Sequence, residues 1–241
     1  MKSKYLIIQI DIAQGTQWGN SSTINPIRQL FMPSVKQYCK KFNYDYLLVT
    51  ESYYEKKYGK FDFLETKQKH YSFERYFHFN NEYEYIVYID NDVYVYPNAK
   101  KLPKIKGLMN VREPEGNSSK IFREVNHLNQ NIGYFNSGVT FCDNMTAKIL
   151  SKYMIKRLEN KIRSKGKNSD NMLLNEFIIQ TNITFQELGC EWNYMPFLAN
   201  SPKIENPNFF HFVGIHGKKI INDLQLNKIE ILDFLEQVKK I

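Results

Sequence analysis

Two short stretches carry the residue types that chemistry needs. Asp90, Asn91 and Asp92 follow directly on Tyr85, Ile86, Val87, Tyr88 and Ile89, an almost wholly apolar run. A run of that kind suits a strand buried on both faces of a parallel sheet. The two carboxylates then stand at the C-terminal edge of a central strand, where open α/β sheets bind ligands. Side chains alternate along a strand, so Asp90 and Asp92 point to one side and Asn91 to the other. Two oxygen ligands this close suit a hard divalent cation, Mg²⁺ or Mn²⁺, which keeps its other positions for substrate phosphates and water. The plainer role for such a triplet is a turn that ends a strand.

The second stretch brings His211, Gly214, His216, Gly217, Lys218 and Lys219 into a short basic segment near the C-terminus. His211 closes an apolar strand and offers a third metal ligand of borderline character, which Mn²⁺ tolerates. Gly214 and Gly217 let backbone N–H groups approach a phosphate, and Lys218 neutralises it as a point charge. Its plainer role is a solvated basic turn with a structural histidine.

These residues need a scaffold, and the apolar pattern supplies one. Residues 5–12 and 44–50 read as strands, and 85–89 as a third. A helix follows the loop 13–23, with Pro33 kinking or restarting it, and a second amphipathic helix covers 65–79. Strand and helix thus alternate over the first 90 residues, which argues for an α/β doubly wound half that holds a nucleotide, although neither GxGxxG nor a Walker A sequence is present. Further on, 133–141 and 209–213 read as strands, and 145–158, 169–180 and 229–239 as helices. The polar stretch 112–131, with Pro114 and Gly116, is the candidate mobile loop or lid. Trp18 and Trp192 are candidates to stack on a base or a sugar, though core packing is the commoner fate of such rings.

With 241 residues, 42% of them hydrophobic and 15% aromatic, the chain is long enough for one large core, which excludes disordered, collagenous and disulfide-scaffold classes. Cys39, Cys142 and Cys190 are odd in number and widely spaced, giving neither a disulfide framework nor a zinc site. The net charge of +8 favours polyanionic or phosphorylated partners, but the basic residues are dispersed and no nucleic-acid-binding motif is present. The apolar stretch after the N-terminus is too short for a signal peptide, and none is long enough to span a bilayer, so the expected location is cytoplasmic.

Taken together, the motifs resemble the metal-dependent GT-A glycosyltransferases, which use nucleotide-diphosphate sugars, from about Tyr5 to Lys219. A segment like Tyr85 to Val95 carries the metal-binding DxD of that superfamily. Phe135-Asn136-Ser137-Gly138-Val139 stands where its FNSGV-like strand is expected, and Asp170 to Asn175 resembles its Asp-x-x-x-x-Asn helix near the donor sugar. His211, Gly214 and Lys218 resemble its closing His-x-x-Gly and lysine, although this lysine falls seven residues after the histidine instead of the more usual five or six.

The resemblance implies a single domain over 1–241, with a nucleotide-binding half in 1–95 and a sugar-binding half in 96–241 that ends in a helix. It also implies an α/β fold whose mostly parallel mixed sheet is flanked by helices. Asp90, Asp92 and His211 would hold the metal. Gln9, Asp11 and Ala13 would lie near uridine, and Lys69 would be a basic donor-site residue, preferred over Lys67. Asn91, Ser137, Asn171, Gly214, His216 and Lys218 would complete the donor site, with Asp170 and Asn136 as catalytic candidates. The implied activity is transfer of a sugar from a nucleotide-diphosphate donor, a UDP-sugar above all, to a glycan or other hydroxyl acceptor, with retention. A metal-dependent nucleotidyltransferase, which also pairs carboxylates with a diphosphate leaving group, is the nearest rival, and a basic polyanion-binding module a more distant one.

Overall fold

The computed structural model describes residues 3–12, 30–59, 71–160, 170–213, 217, 219–221, 233 and 236. Its main sheet has six strands: β1 (Tyr5–Ile10), β2 (Asp45–Val49), β3 (Tyr85–Ile89), β5 (Leu108–Arg112), β6 (Phe135–Asp143) and β7 (Phe185–Leu188). They lie in the order β2-β1-β3-β6-β5-β7. β1 pairs parallel with β2 and β3, β6 runs antiparallel to both β3 and β5, and β7 is parallel to β5. The sheet is therefore mostly parallel with one reversed strand, and it draws strands from both halves of the sequence. β3 is buried from Ile86 to Ile89, as its apolar run requires, but one of its two neighbours is antiparallel. An apolar run reports burial on both faces and carries no information about the direction of the neighbouring strand.

A second sheet is very small: β4 (Val93–Val95) pairs antiparallel with β8 (Phe209–His211), and Val93 faces His211. On the face it shares with His211, Phe209 meets Phe141 of β6 in a stack at 6.4 Å, and Trp192 edge-on at 5.6 Å. Val93, Val95 and Phe209 join Val87, Ile89, Val139 and Phe141 in one cluster, so the small sheet packs against the large one. Tyr94 and Phe210, on its other face, join Phe31, Tyr194 and Phe212.

Helices cover the main sheet. α1 (Met32–Phe42) carries Pro33 in its first turn, where a missing N–H costs nothing, so the proline starts this helix. Asn43 in the left-handed conformation ends it. α2 (Tyr53–Tyr58) is capped by Ser52, whose hydroxyl accepts the Glu55 N–H. The helix expected over 65–79 is, in its described part, a 3-10 helix (Tyr71–His78). α4 (Asn144–Glu159) follows β6 directly, with Asp143 as its N-cap, and α5 (Asp170–Gln180) buries a continuous run from Met172 to Phe177. The stretch expected to be a mobile loop instead contains α3 (Asn117–Val125), whose Phe122 packs with Tyr134 and Met172. The expected C-terminal helix lies almost wholly outside the described residues. Among the described residues, no helix is long and apolar enough to cross a membrane.

Candidate active site

The topology gathers one edge of the main sheet. The C-terminal ends of β1, β3, β5 and β7 and the start of the reversed β6 all lie there, because β5 and β7 run in the same sense as β3. Asp90 follows β3, Glu113 follows β5, Asn193 comes shortly after β7, and Asn136 and Ser137 open β6. Asp170 and Asn171 arrive on the first turn of α5. This is the edge at which open α/β sheets bind ligands.

Asp90, Asn91 and Asp92 form a turn fixed from three sides. The Asp90 N–H donates to the Gly138 carbonyl at 2.7 Å, the Phe212 N–H donates to the Asp92 carbonyl at 3.0 Å, and the Gln9 amide donates to the Asp90 carbonyl at 3.1 Å. Those anchors come from β6, from the chain just after β8, and from β1. Because Val93 pairs with His211, Asp92 sits beside the imidazole, with His211 Nε2 3.2 Å from Asp92 Oδ1. One potential ligand atom from each of Asp90, Asp92 and His211 lies within 4.8 Å of the others. Two carboxylate oxygens and an imidazole nitrogen make a donor set that fits Mn²⁺ or Mg²⁺. Asp92 and His211 are almost wholly buried, at 9% and 3% exposure.

Gly138 makes room for the ring. A Cβ there would stand 2.1 Å from His211 Cε1, closer than any packed carbon tolerates. The glycine of the Phe135 to Val139 segment is thus required by sheet-on-sheet approach. Gly217 has a comparable constraint, since its Cβ would fall 2.0 Å from the Phe212 carbonyl oxygen.

Arg75 is the residue that sequence reasoning passed over. The 3-10 helix aims its buried guanidinium at Asp90, with which it forms a close ion pair, and at Asp170 at 3.5 Å, while a further N–H reaches the Ser137 carbonyl at 3.1 Å. Burial alone would lower its pKa, but Asp90 and Asp170 raise it, so the charge persists. Burial pushes the Asp90 carboxyl up despite the pull of Arg75, with Asp92 and Asp170 adding to the rise. A positive species near Asp90 would relieve that cost. Burial likewise opposes charge on His211, but Asp92, Asp90 and Glu113 raise its pKa overall. The neighbouring Glu74 fastens the 3-10 helix to α2, accepting from Ser52 Oγ and from the N–H groups of Tyr53 and Tyr54.

On the other flank, Ser137 Oγ lies 2.7 Å from Asp170 Oδ2, and the Ser137 N–H donates to Asn171 Oδ1 at 2.7 Å. Asn175, the closing residue of the Asp-x-x-x-x-Asn pattern, turns inward and pairs with both the N–H and the carbonyl of Phe135, at 2.8 and 2.7 Å. Its amide acts like a strand residue that ties α5 to β6. Asn136, at 2% exposure, gives its amide nitrogen to Glu113 at 3.0 Å and receives Gly138 N–H and Asn193 on its oxygen. Both its ends are thus engaged by protein groups. Glu113 and Asn193 carried no signal in the sequence, being single polar residues outside any motif.

Gln9 is fully buried, between the Asp90 carbonyl and the Tyr46 hydroxyl, which donates to Gln9 Oε1 at 2.8 Å. It thus supports the turn of Asp90. Asp11 is half-buried just past β1, its N–H donating to the Val49 carbonyl. Asn91 is half-buried in the turn. Ala13, Trp18, Lys67, Lys69, Gly214, His216 and Lys218 lie outside the described residues. Trp192 is a core residue, edge-on to Phe141 at 5.9 Å.

A mostly parallel mixed sheet with a carboxylate pair after a central strand, met by a histidine from a distant strand, agrees with the GT-A glycosyltransferase class that the motifs resemble. The sequence matches the model of glycosyl transferase family 8 over residues 33–219, and the chain belongs to that family. Among solved structures it is similar to a glycosyltransferase involved in the glycosylation of the major capsid of PBCV-1, at 13% identity over 92% of this chain and 98% of that one, with a TM-score of 0.58. It is also similar to the WbbM bifunctional glycosyltransferase, at 14% identity over 88% of this chain and 46% of that one, with a TM-score of 0.55. At these identities the likeness shows the fold. A search of curated proteins finds no significant match.

Proposed function

We propose that this glycosyltransferase moves a sugar from a nucleotide-diphosphate donor, a UDP-sugar, to a hydroxyl of a glycan or glycoconjugate, with a divalent cation and with retention at the anomeric carbon. The observation that carries the reading is the convergence of Asp90, Asp92 and His211, with ligand atoms within 4.8 Å, at the ligand-binding edge of the sheet. His211 Nε2 faces Asp92 Oδ1 at 3.2 Å, a contact that a proton on Nε2 or a cation between the two groups makes favourable. A bound Mn²⁺ or Mg²⁺ would supply Lewis-acid stabilisation of the diphosphate leaving group.

The chain's own residues do the rest of the work. Arg75 neutralises Asp90 and holds Asp170 in place, so that the carboxylates keep fixed positions in a site largely closed to water. Asp170, aligned by Ser137, presents a carboxylate on the α5 side of the edge, where it would meet the donor sugar. Glu113 joins it as a polar group for sugar hydroxyls, with Asn171 holding it in place, and a site built to bond a hydroxyl rejects a sugar that lacks it. Lys218 and His216 grip the diphosphate, and Gly214 lets the backbone approach it. Asp11 and Ala13 flank the nucleoside, Lys69 adds charge at the donor, and the halves 1–95 and 96–241 form one domain. Retention rests on the likeness of the His211, Gly214 and Lys218 segment to retaining members of the superfamily.

Incubation with UDP-sugars tests the reading. Slow release of UDP that Mn²⁺ restores after chelation is expected. Release of pyrophosphate from a nucleoside triphosphate, with no UDP from any UDP-sugar, would replace it with nucleotidyl transfer.

A further inference from the structure

The polar groups behind His211 form a chain in which each member has one way to bond. It begins at Gly138, whose backbone N–H only donates and meets Asn136 Oδ1 at 2.8 Å. The opposite end of Asn136 is therefore its amino group, and it meets the Glu113 carboxylate at 3.0 Å, as the chemistry demands. Since Asn136 Oδ1 accepts, the Asn193 atom 2.9 Å from it is the amino nitrogen. Asn193 Oδ1 is then the atom 3.0 Å from His211 Nδ1. A carbonyl oxygen only accepts, so Nδ1 carries a hydrogen. The same logic holds on the far side of Glu113, where the Ser137 N–H fixes the oxygen of Asn171 and turns its amino group to Glu113 at 3.1 Å.

We propose that Asn193 is a positioning residue that holds His211 in the Nδ1–H tautomer and so leaves Nε2 as the lone-pair nitrogen facing Asp92. A ligating histidine is oriented in this way by the partner of its other ring nitrogen. Asn193 itself has no exposed surface, and its place beside His211 follows from backbone pairing. The Tyr194 N–H donates to Phe209 and the His211 N–H to Tyr194, both at 2.8 Å, so the segment after Trp192 runs alongside β8. Glu113, 23 residues before Asn136 in sequence, terminates the chain. The consequence for metal binding rests on the cation site proposed above, whereas the tautomer does not.

The direct test is NMR of protein labelled with ¹⁵N-histidine, without metal, at a pH where the ring is neutral, the His211 signals being identified by their loss in His211→Gln. The expected pattern has hydrogen on Nδ1 and none on Nε2. Hydrogen on Nε2 in the wild type would overturn the proposal. With Mn²⁺ alone as the titrant, Asn193→Ala is expected to weaken binding about 10- to 100-fold. Asn193→Asp keeps an oxygen acceptor for Nδ1–H and, as the protonated acid, a donor to Asn136 Oδ1; it is expected to keep the tautomer, so the proposal remains testable if the alanine variant does not fold. Equal Mn²⁺ affinity in wild type and Asn193→Ala would overturn it. A wild type that shows Nδ1–H yet binds no Mn²⁺ would support the tautomer and remove the cation site.

Discussion

The two sheets are built on opposite terms. The six-stranded sheet is held by apolar side chains on both faces, and β1 and β3 are buried over nearly their whole length. The two-stranded sheet has three residues per strand and could not stand alone in water. It exists because Phe209 is pressed between Phe141 and Trp192 and because Phe210 fills a second cluster on its outer face. Yet it is the small sheet whose register sets the distance between Asp92 and His211. The large sheet provides a rigid edge, and the small one, joining Val93 to His211 from distant parts of the sequence, sets the spacing on it.

The largest break in that arrangement is expected from Phe209→Ala. Its ring is fully buried, and a buried Phe→Ala change costs about 3–5 kcal/mol. Denaturant unfolding should register that loss, and titration should show Mn²⁺ binding lost with it, because His211 is two residues away on the same face. Gly138→Ala strikes the contact between the sheets from the other side. With a Cβ 2.1 Å from a ring pinned by Asn193, it is expected to cost about 1–3 kcal/mol and to weaken Mn²⁺ binding by displacing His211.

Asp143→Ala should affect the large sheet and α4 while leaving the cation site intact. Burial alone would raise the Asp143 carboxyl, but the N–H groups of Thr146 and Gly107 hold it below the ordinary carboxylate range. A depressed folded pKa gives stability that is present above the unfolded pKa and is lost as pH falls through the folded one. The variant is therefore expected to lose about 1 kcal/mol at pH 7, a gap that narrows in acid, with Mn²⁺ affinity unchanged. Melting curves across pH and a metal titration check both parts.

The same contrast explains what the sequence revealed. β1, β2, β3 and the helices α4 and α5 stand out because apolar periodicity and capping are local. The pair Asp90 and Asp92 stands out because it interrupts an apolar run. β5 does not, since Asn110 and Arg112 break its pattern, and Asn110 is buried only because its amide bridges the irregularity opposite β6. Gln186 and Glu187 of the edge strand β7 face solvent. Arg75 is hidden for a related reason: in an aromatic stretch it reads as one polar position of a helix face, and the basic candidates Lys69, preferred, and Lys67 stand nearby. Burial of a charge is decided by its tertiary partners, here Asp90 and Asp170, which no window of neighbouring residues contains. Glu113 and Asn193 belong to the same class.

The central claim, that residues from β3 to β4 and from β8 hold one cation beside the donor diphosphate, is tested most directly by titrating UDP with and without Mn²⁺ into wild type and His211→Ala. In the wild type, Mn²⁺ should tighten UDP binding within the usual 5- to 150-fold range of such couplings, and His211→Ala should lose most of that gain while binding UDP alone as before. Equal enhancement in the two proteins would contradict the claim and leave His211 a structural histidine.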